Sequence, residues 1–210
     1  AKAREALALG ITELHIVGGL HPSLPFSYYT DMLKALNALN DGVRPSPAAA
    51  TSARPGAQEN SFAAGNPTIA APGDRRTPRL QLKCFTAIEI LHLAWLAKKS
   101  VEQTLRELKD AGLESLTGGG AEIFKKEVRS AIAKGKESAE EYLDVHRTWH
   151  KLGGRSTCTM LFGHVESLAD RVDHLRQLRA LQDETRANGF GVPASAGSER
   201  GVHAASASEN

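Results

Sequence analysis

Glycines stand directly after apolar runs at three places in the chain: Leu14-His15-Ile16-Val17-Gly18-Gly19, Leu113-Glu114-Ser115-Leu116-Thr117-Gly118-Gly119-Gly120 and Cys158-Thr159-Met160-Leu161-Phe162-Gly163. Each run reads as a short strand leading into a helical segment. A glycine at such a junction lets main chain approach a ligand closely, because no Cβ intervenes and positive φ is open to it. Several such turns in a chain of alternating strands and helices imply one shared ligand site at the strand ends. At the first of them, Gly18-Gly19 leaves amides and carbonyls free for a ligand's ammonium or carboxylate, while Leu20-His21-Pro22 fixes the turn; a plain tight turn also explains the pair. His21 reads either as a ligand or proton-transfer group or as a solvated turn histidine.

Other residues offer different chemistry. Thr117-Gly118-Gly119-Gly120-Ala121-Glu122 could cradle a phosphate on consecutive amides at a helix start, but no Gly-Lys-Ser/Thr follows, so this is not a nucleotide P-loop. Lys83 on a strand admits a Schiff-base reading, since a desolvated lysine is a usable nucleophile; a solvated or ion-paired lysine is the simpler one. His146 and His150 lie four apart on a predicted helix, the spacing of a zinc pair. The segment is His-Arg-Thr-Trp-His, without the glutamate of a zinc protease, which favours structural histidines. His164 differs in standing just after Gly163, at a strand end.

These residues need a scaffold, and the sequence predicts one. Ala1 to Gly10 is an amphipathic helix closed by glycine, and it reads as the interior of a longer protein rather than a targeting peptide. Ile11–Val17 is predicted as a strand, and Ser27 as the cap of a helix carrying Tyr28, Tyr29, Met32, Leu33, Leu36 and Leu39. A second strand over Leu80–Phe85 hands over to Thr86-Ala87-Ile88-Glu89, a capping box; Ser100 with Gln103 and Ser138 with Glu141 repeat that signal. Leu113–Leu116 and Ser156–Leu161 are the remaining strands. A last helix from about Ser167 to Asp183 carries Leu168, Val172, Leu175, Leu178 and Leu181.

Strands alternating with helices of this length predict a parallel sheet with crossover helices. The expected fold class is α/β, a partial (β/α) barrel of about four to five βα units, where a closed barrel has eight. Two segments fall outside the rhythm. Residues 42–78 hold six of the nine prolines and few large apolar residues, so they are expected to be a disordered Ala/Gly/Pro/Ser-rich insertion. The tail over 186–210 has similar composition. The barrel domain is thus predicted over 1–41 and 79–185.

Composition narrows the partners. The 210 residues are 41% hydrophobic and 24% charged with a formal charge of +2, which suits one globular core and gives no electrostatic case for nucleic acid or an anionic membrane. A small-molecule substrate is expected. Cys84 and Cys158 are the only cysteines and match no metal spacing, so no metal site is predicted within this chain and a reducing cytoplasm is the expected compartment.

The motifs together carry a resemblance. The run Glu13–Pro22, the run Ser115–Ile123, Thr159-Met160-Leu161-Phe162-Gly163-His164-Val165-Glu166 and Leu181–Thr185 resemble the aminofutalosine synthases of menaquinone biosynthesis, members of the radical S-adenosylmethionine (SAM) superfamily. The sister cyclic dehypoxanthinyl futalosine synthases and deazaflavin-cofactor synthases share much of this pattern. The resemblance implies a barrel holding a [4Fe-4S] cluster and SAM, an external electron donor, and addition of a 5′-deoxyadenosyl radical to 3-[(1-carboxyvinyl)oxy]benzoate. It also implies SAM contacts from Gly18, Gly19, Met160, Phe162 and Gly163, with His21, Gly119, Glu122 and His164 on the substrate side. Leu20 stands where superfamily members often carry an acidic residue, so the ammonium's counter-charge is unassigned. The Cys-x3-Cys-x2-Cys motif that would hold the cluster is missing, so the expectation is a truncated chain, inactive by itself. A non-catalytic half-barrel that binds a partner is the alternative.

Overall fold

A computed structural model describes residues 1–42 and 79–190. In chain order the elements are α1 (Lys2–Ala8), β1 (Glu13–Ile16), α2 (Phe26–Asn37) continuing into a 3-10 turn (Ala38–Gly42), β2 (Gln81–Cys84), α3 (Ala87–Ala97), α4 (Val101–Asp110), β3 (Ser115–Leu116), α5 (Lys126–Ile132), α6 (Ala139–Lys151), β4 (Arg155–Ser156) and α7 (Leu168–Ala187). The strands form one sheet in the order β1-β2-β3-β4, and all three pairings are parallel. The sheet is an open arc, which agrees with the predicted partial barrel. Apart from residue 42, the expected insertion lies outside the described residues, as does the expected tail beyond residue 190.

Local chemistry fixes most helix starts. Thr86 with Glu89, Ser100 with Gln103, and Ser138 with Glu141 each form the reciprocal capping box expected of them. α2 is a correction: its N-cap is Pro25, in an extended conformation, and not Ser27. The proline ring presets the φ needed to enter the helix, and Ser27 lies in the first turn, where its carbonyl accepts from the Thr30 hydroxyl. Asn40 acts across the segment between α2 and β2. Its Oδ1 accepts from the Leu80 N–H at 2.7 Å and its amide donates to the Leu80 carbonyl at 3.2 Å, so one side chain satisfies the main chain at the entrance to β2.

The core lies on the helical side of the sheet. Leu82, Cys84 and Leu116 point into it and meet Leu33, Ile90, Leu105, Leu108, Tyr142 and Trp149. The strand period of two sends the alternate residues to the other face. There Glu13, His15 and Gln81 are exposed, and Lys83 and Ser115 are half-buried. A packed barrel interior is lined by branched apolar residues; this face is polar and suited to a ligand or water.

Two further predictions need correction. The strand expected over Ser156–Leu161 pairs in the sheet only at Arg155 and Ser156. Thr157 N–H makes the last bond to β3, to the Leu116 carbonyl, and beyond it the chain is tied to the β3 loop, through the Thr159 hydroxyl to the Gly118 carbonyl and Leu161 N–H to the Glu122 carbonyl. The last helix runs to Ala187 rather than Asp183, and of its predicted apolar stripe Leu181 is buried while Leu168 is 76% exposed. α7 packs on α6 beside the edge strand, so the start of its stripe has nothing to cover it among the described residues.

Candidate functional site

The C-terminal ends of all four strands open into one hollow of about 460 Å³. It is lined by Val17, Gly18, Gly19 and Leu20 after β1, Thr86, Ile88 and Glu89 after β2, Thr117, Gly118 and Gly119 after β3, and Thr157 and Thr159 after β4, with His15 from β1 itself. In parallel α/β sheets this is where ligands bind.

The loops that make the hollow are held by specific contacts. After β2 the backbone turns sharply at Phe85, whose φ is 64°, a conformation costly for a residue with a side chain. Thr117 holds it there from the neighbouring strand: its N–H and its hydroxyl both donate to the Phe85 carbonyl, each at 2.9 Å. The turn brings Thr86 and Glu89 to the hollow. Glu89 Oε2 accepts from the Thr86 N–H at 2.8 Å and hydroxyl at 2.7 Å, and Oε1 accepts from the Gly18 N–H at 2.8 Å. One carboxylate thereby joins the β1 and β2 loops.

Gly118 is required by close approach. A Cβ there would stand 2.6 Å from the Cys158 Cα and the Thr157 carbonyl oxygen, both main chain that cannot swing aside. The Gly118 carbonyl accepts from the Tyr142 hydroxyl at 2.9 Å and the Thr159 hydroxyl at 2.7 Å, which fixes the β3 loop against β4. Behind that loop Arg129, 6% exposed, donates to the carbonyls of Gly120, Ala121 and Glu137. The Glu137 carboxylate lies 3.4 Å from its guanidinium, and burial pushes the Glu137 carboxyl pKa up.

Of the residues singled out from sequence, Gly18, Gly19 and Gly119 come together in the hollow. Met160, Phe162, Gly163 and His164 do not line it; they follow on from Thr159 along the same segment. There Glu166 accepts from the amides of Gly163 and His164, and with Arg171 this brings its carboxyl down to about 2. Phe162 is exposed, with the Arg171 guanidinium 5.1 Å from its ring centroid. His21 is turned away: its Nδ1 accepts from the amides of Ser23 and Leu24, as a turn histidine would. Glu122 pairs with Lys136 at 2.6 Å. Glu89, Thr86 and Thr159 were not singled out as site residues. The capping box was the available signal for Glu89, but it marks a helix start and does not reveal that the carboxylate also reaches Gly18.

The remaining candidates are structural. Lys83 is mostly buried, 4.0 Å from Glu13, and does not line the hollow. His146 is fully buried and its pKa is lowered to about 3, first by desolvation and then by His150. His150 is held between the hydroxyls of Thr185 and Ser156. Burial pushes the Cys84 thiol up to about 12, with the Glu89 charge adding to it, and raises Cys158 as well. Among the described residues no three His, Cys, Asp or Glu side chains are grouped to hold a metal ion, and no helix is long and apolar enough to cross a membrane.

Comparison with known proteins bears on the same site. A family model described as the radical SAM superfamily matches residues 48–178. The aminodeoxyfutalosine synthase of Thermus thermophilus is 39% identical over 185 residues, which cover 88% of this chain and 40% of that protein. The aminodeoxyfutalosine synthase of Streptomyces coelicolor is 42% identical over 192 residues, 91% of this chain and 39% of that protein. The cyclic dehypoxanthine futalosine synthase of Halalkalibacterium halodurans is 30% identical over 184 residues, 88% of this chain and 40% of that protein. The chain therefore spans about two fifths of the length of these curated relatives.

Proposed function

The chain belongs to the radical SAM superfamily, and on that footing we propose that it is the SAM-binding part of an aminodeoxyfutalosine synthase. The observation that carries this reading is the convergence of four strand ends, two of them followed by glycine pairs, on a single hollow. Gly18 and Gly19 offer main chain to the amino acid end of the nucleotide. The segment from Thr159 through Met160 and Phe162 to Gly163, stiffened by Glu166, runs from the hollow and takes the adenine. Gly119, in the hollow, and His164, farther along the segment after Thr159, are the residues of this chain assigned to the side of the second substrate, 3-[(1-carboxyvinyl)oxy]benzoate, with the work done in the cytoplasm. His21 and Glu122, occupied by Ser23, Leu24 and Lys136, take no part in this reading.

The family implies a [4Fe-4S] cluster beside the nucleotide, which when bound supplies the electron that cleaves SAM. Three thiolates must hold it if one iron is to stay open. The sequence contains two cysteines, and burial raises the pKa of both thiols. These residues do not fit the cluster, so the role of this chain is to bind and orient the nucleotide.

The test is equilibrium dialysis of labelled SAM against this chain, followed by anaerobic treatment with iron, sulfide and a chemical reductant. The expected result is saturable binding, displaced by S-adenosylhomocysteine and not by ATP, with SAM recovered intact. Absence of binding would refute the assignment of the hollow. Release of 5′-deoxyadenosine would refute the division of labour between this chain and the cluster ligands.

A further inference from the structure

Among the described residues Glu89 is the only carboxylate lining the hollow, and no lysine or arginine lines it. The residue is 6% exposed. A carboxylate so placed without a cation is costly unless hydrogen bonds offset its lost hydration. Glu89 has three donors, two on Oε2 and one on Oε1, which leaves an acceptor position on Oε1. The helix cap alone does not call for this charge. A glutamine serves at the third position of a capping box, and Gln103 does so at the start of α4. Glu141 and Asp170, the acidic residues of the α6 and α7 boxes, cap exposed helix starts; Glu89 is buried, at a ligand site, and extends its second oxygen to the loop of another strand.

We propose that Glu89 is the acceptor for the ligand's primary ammonium and that, through the Gly18 amide, it positions the β1 loop around the same group. This rests on the reading of the hollow as a SAM site and identifies which group of this chain meets the amino acid arm. Of the two cationic centres of SAM, the ammonium carries N–H donors and the sulfonium carries none, so of the two charges the ammonium is the one that can donate to Oε1. The ribose hydroxyls and adenine amine are donors too, and 5′-methylthioadenosine, which keeps them and lacks the ammonium, tells the two apart. The neighbouring loop residues Val17, Leu20 and Ile88 are apolar and offer no competing charge. The acidic function left unassigned by Leu20 is thus supplied from the adjacent βα loop.

The experiment compares S-adenosylhomocysteine with 5′-methylthioadenosine by calorimetry on the full chain and on Glu89→Gln. Both probes carry a neutral sulfur and the same nucleoside, and only the first carries the amino acid arm. Glutamine keeps the capping box, and its urea midpoint against wild type checks the fold. The expected result is a loss of roughly tenfold or more in S-adenosylhomocysteine affinity, the scale of a charge-assisted hydrogen bond, with methylthioadenosine affinity unchanged. Equal losses for both probes would reduce Glu89 to a structural role and overturn the proposal. An unchanged S-adenosylhomocysteine affinity would overturn it too while leaving the nucleoside site standing. Failure of wild type to bind either probe would overturn the SAM reading itself, and this inference with it.

Discussion

Single residues set the balance of this structure by what they leave unpaired. His146 is completely buried on α6, with neither ring nitrogen hydrogen-bonded, between Tyr142 on one side and His150 on the other. Its folded pKa, about 3, lies below the unfolded value of about 6.5. Below pH 6.5 the unfolded chain therefore binds a proton that the folded chain refuses, and stability falls with pH down to about 3 at up to about 1.4 kcal/mol per unit. His150 and His174 are shifted the same way by burial and add to the slope. The raised carboxyls of Glu137 and Glu114 work in the opposite sense, near and above the ordinary carboxyl range. Urea unfolding between pH 4 and pH 8 measures the sum, and a shallower pH slope in His146→Leu than in wild type isolates the histidine. Equal slopes would contradict this account of the residue.

At the scale of elements, the loops after β3 and β4 are held by side chains from the helices behind them. Arg129 on α5 ties three carbonyls and faces a carboxylate whose side chain is only 1% exposed. Arg129→Met leaves Glu137 buried and uncompensated, a change worth about 3–5 kcal/mol. Arg129→Met with Glu137→Gln is predicted to recover part of that loss, and chemical denaturation of the two variants checks it. Recovery by the double variant would show that the stranded charge, more than the lost carbonyl contacts, sets the cost.

Element order and helix caps were legible in the sequence because they depend on local chemistry, as Thr86–Glu89, Ser100–Gln103 and Ser138–Glu141 show. What was not legible depends on contacts distant in sequence. α5 has no strong cap or period, and it is stabilised by what Arg129 finds across the β3 loop. The β4 ladder stops early because the chain there is taken up by the β3 loop. That Gly18 and Gly119 stand at strand ends could be read from their place after apolar runs; that Glu89 joins them in the hollow, 71 residues from its Gly18 partner, could not.

For the whole molecule, the division of the sheet into an apolar face and a polar face decides what it can do. Leu82, Cys84 and Leu116 carry the fold, while Glu13, His15 and Lys83 stand on the face away from the buried core. A scaffold of this kind concentrates chemistry at one end, where β1 to β4 deliver their loops to a common hollow. The wider groove between β4 and α7, about 760 Å³ and lined by Ser156, Leu175, Leu178 and Leu181, is the competing place for a small molecule to settle. The most direct measurement is an amide NMR titration of the chain with S-adenosylhomocysteine. Saturable shifts concentrated at Gly18, Gly19, Thr86, Gly118 and Gly119 are predicted; shifts confined to Ser156, Leu178 and Leu181, or no shifts at all, would contradict a nucleotide site at the strand ends.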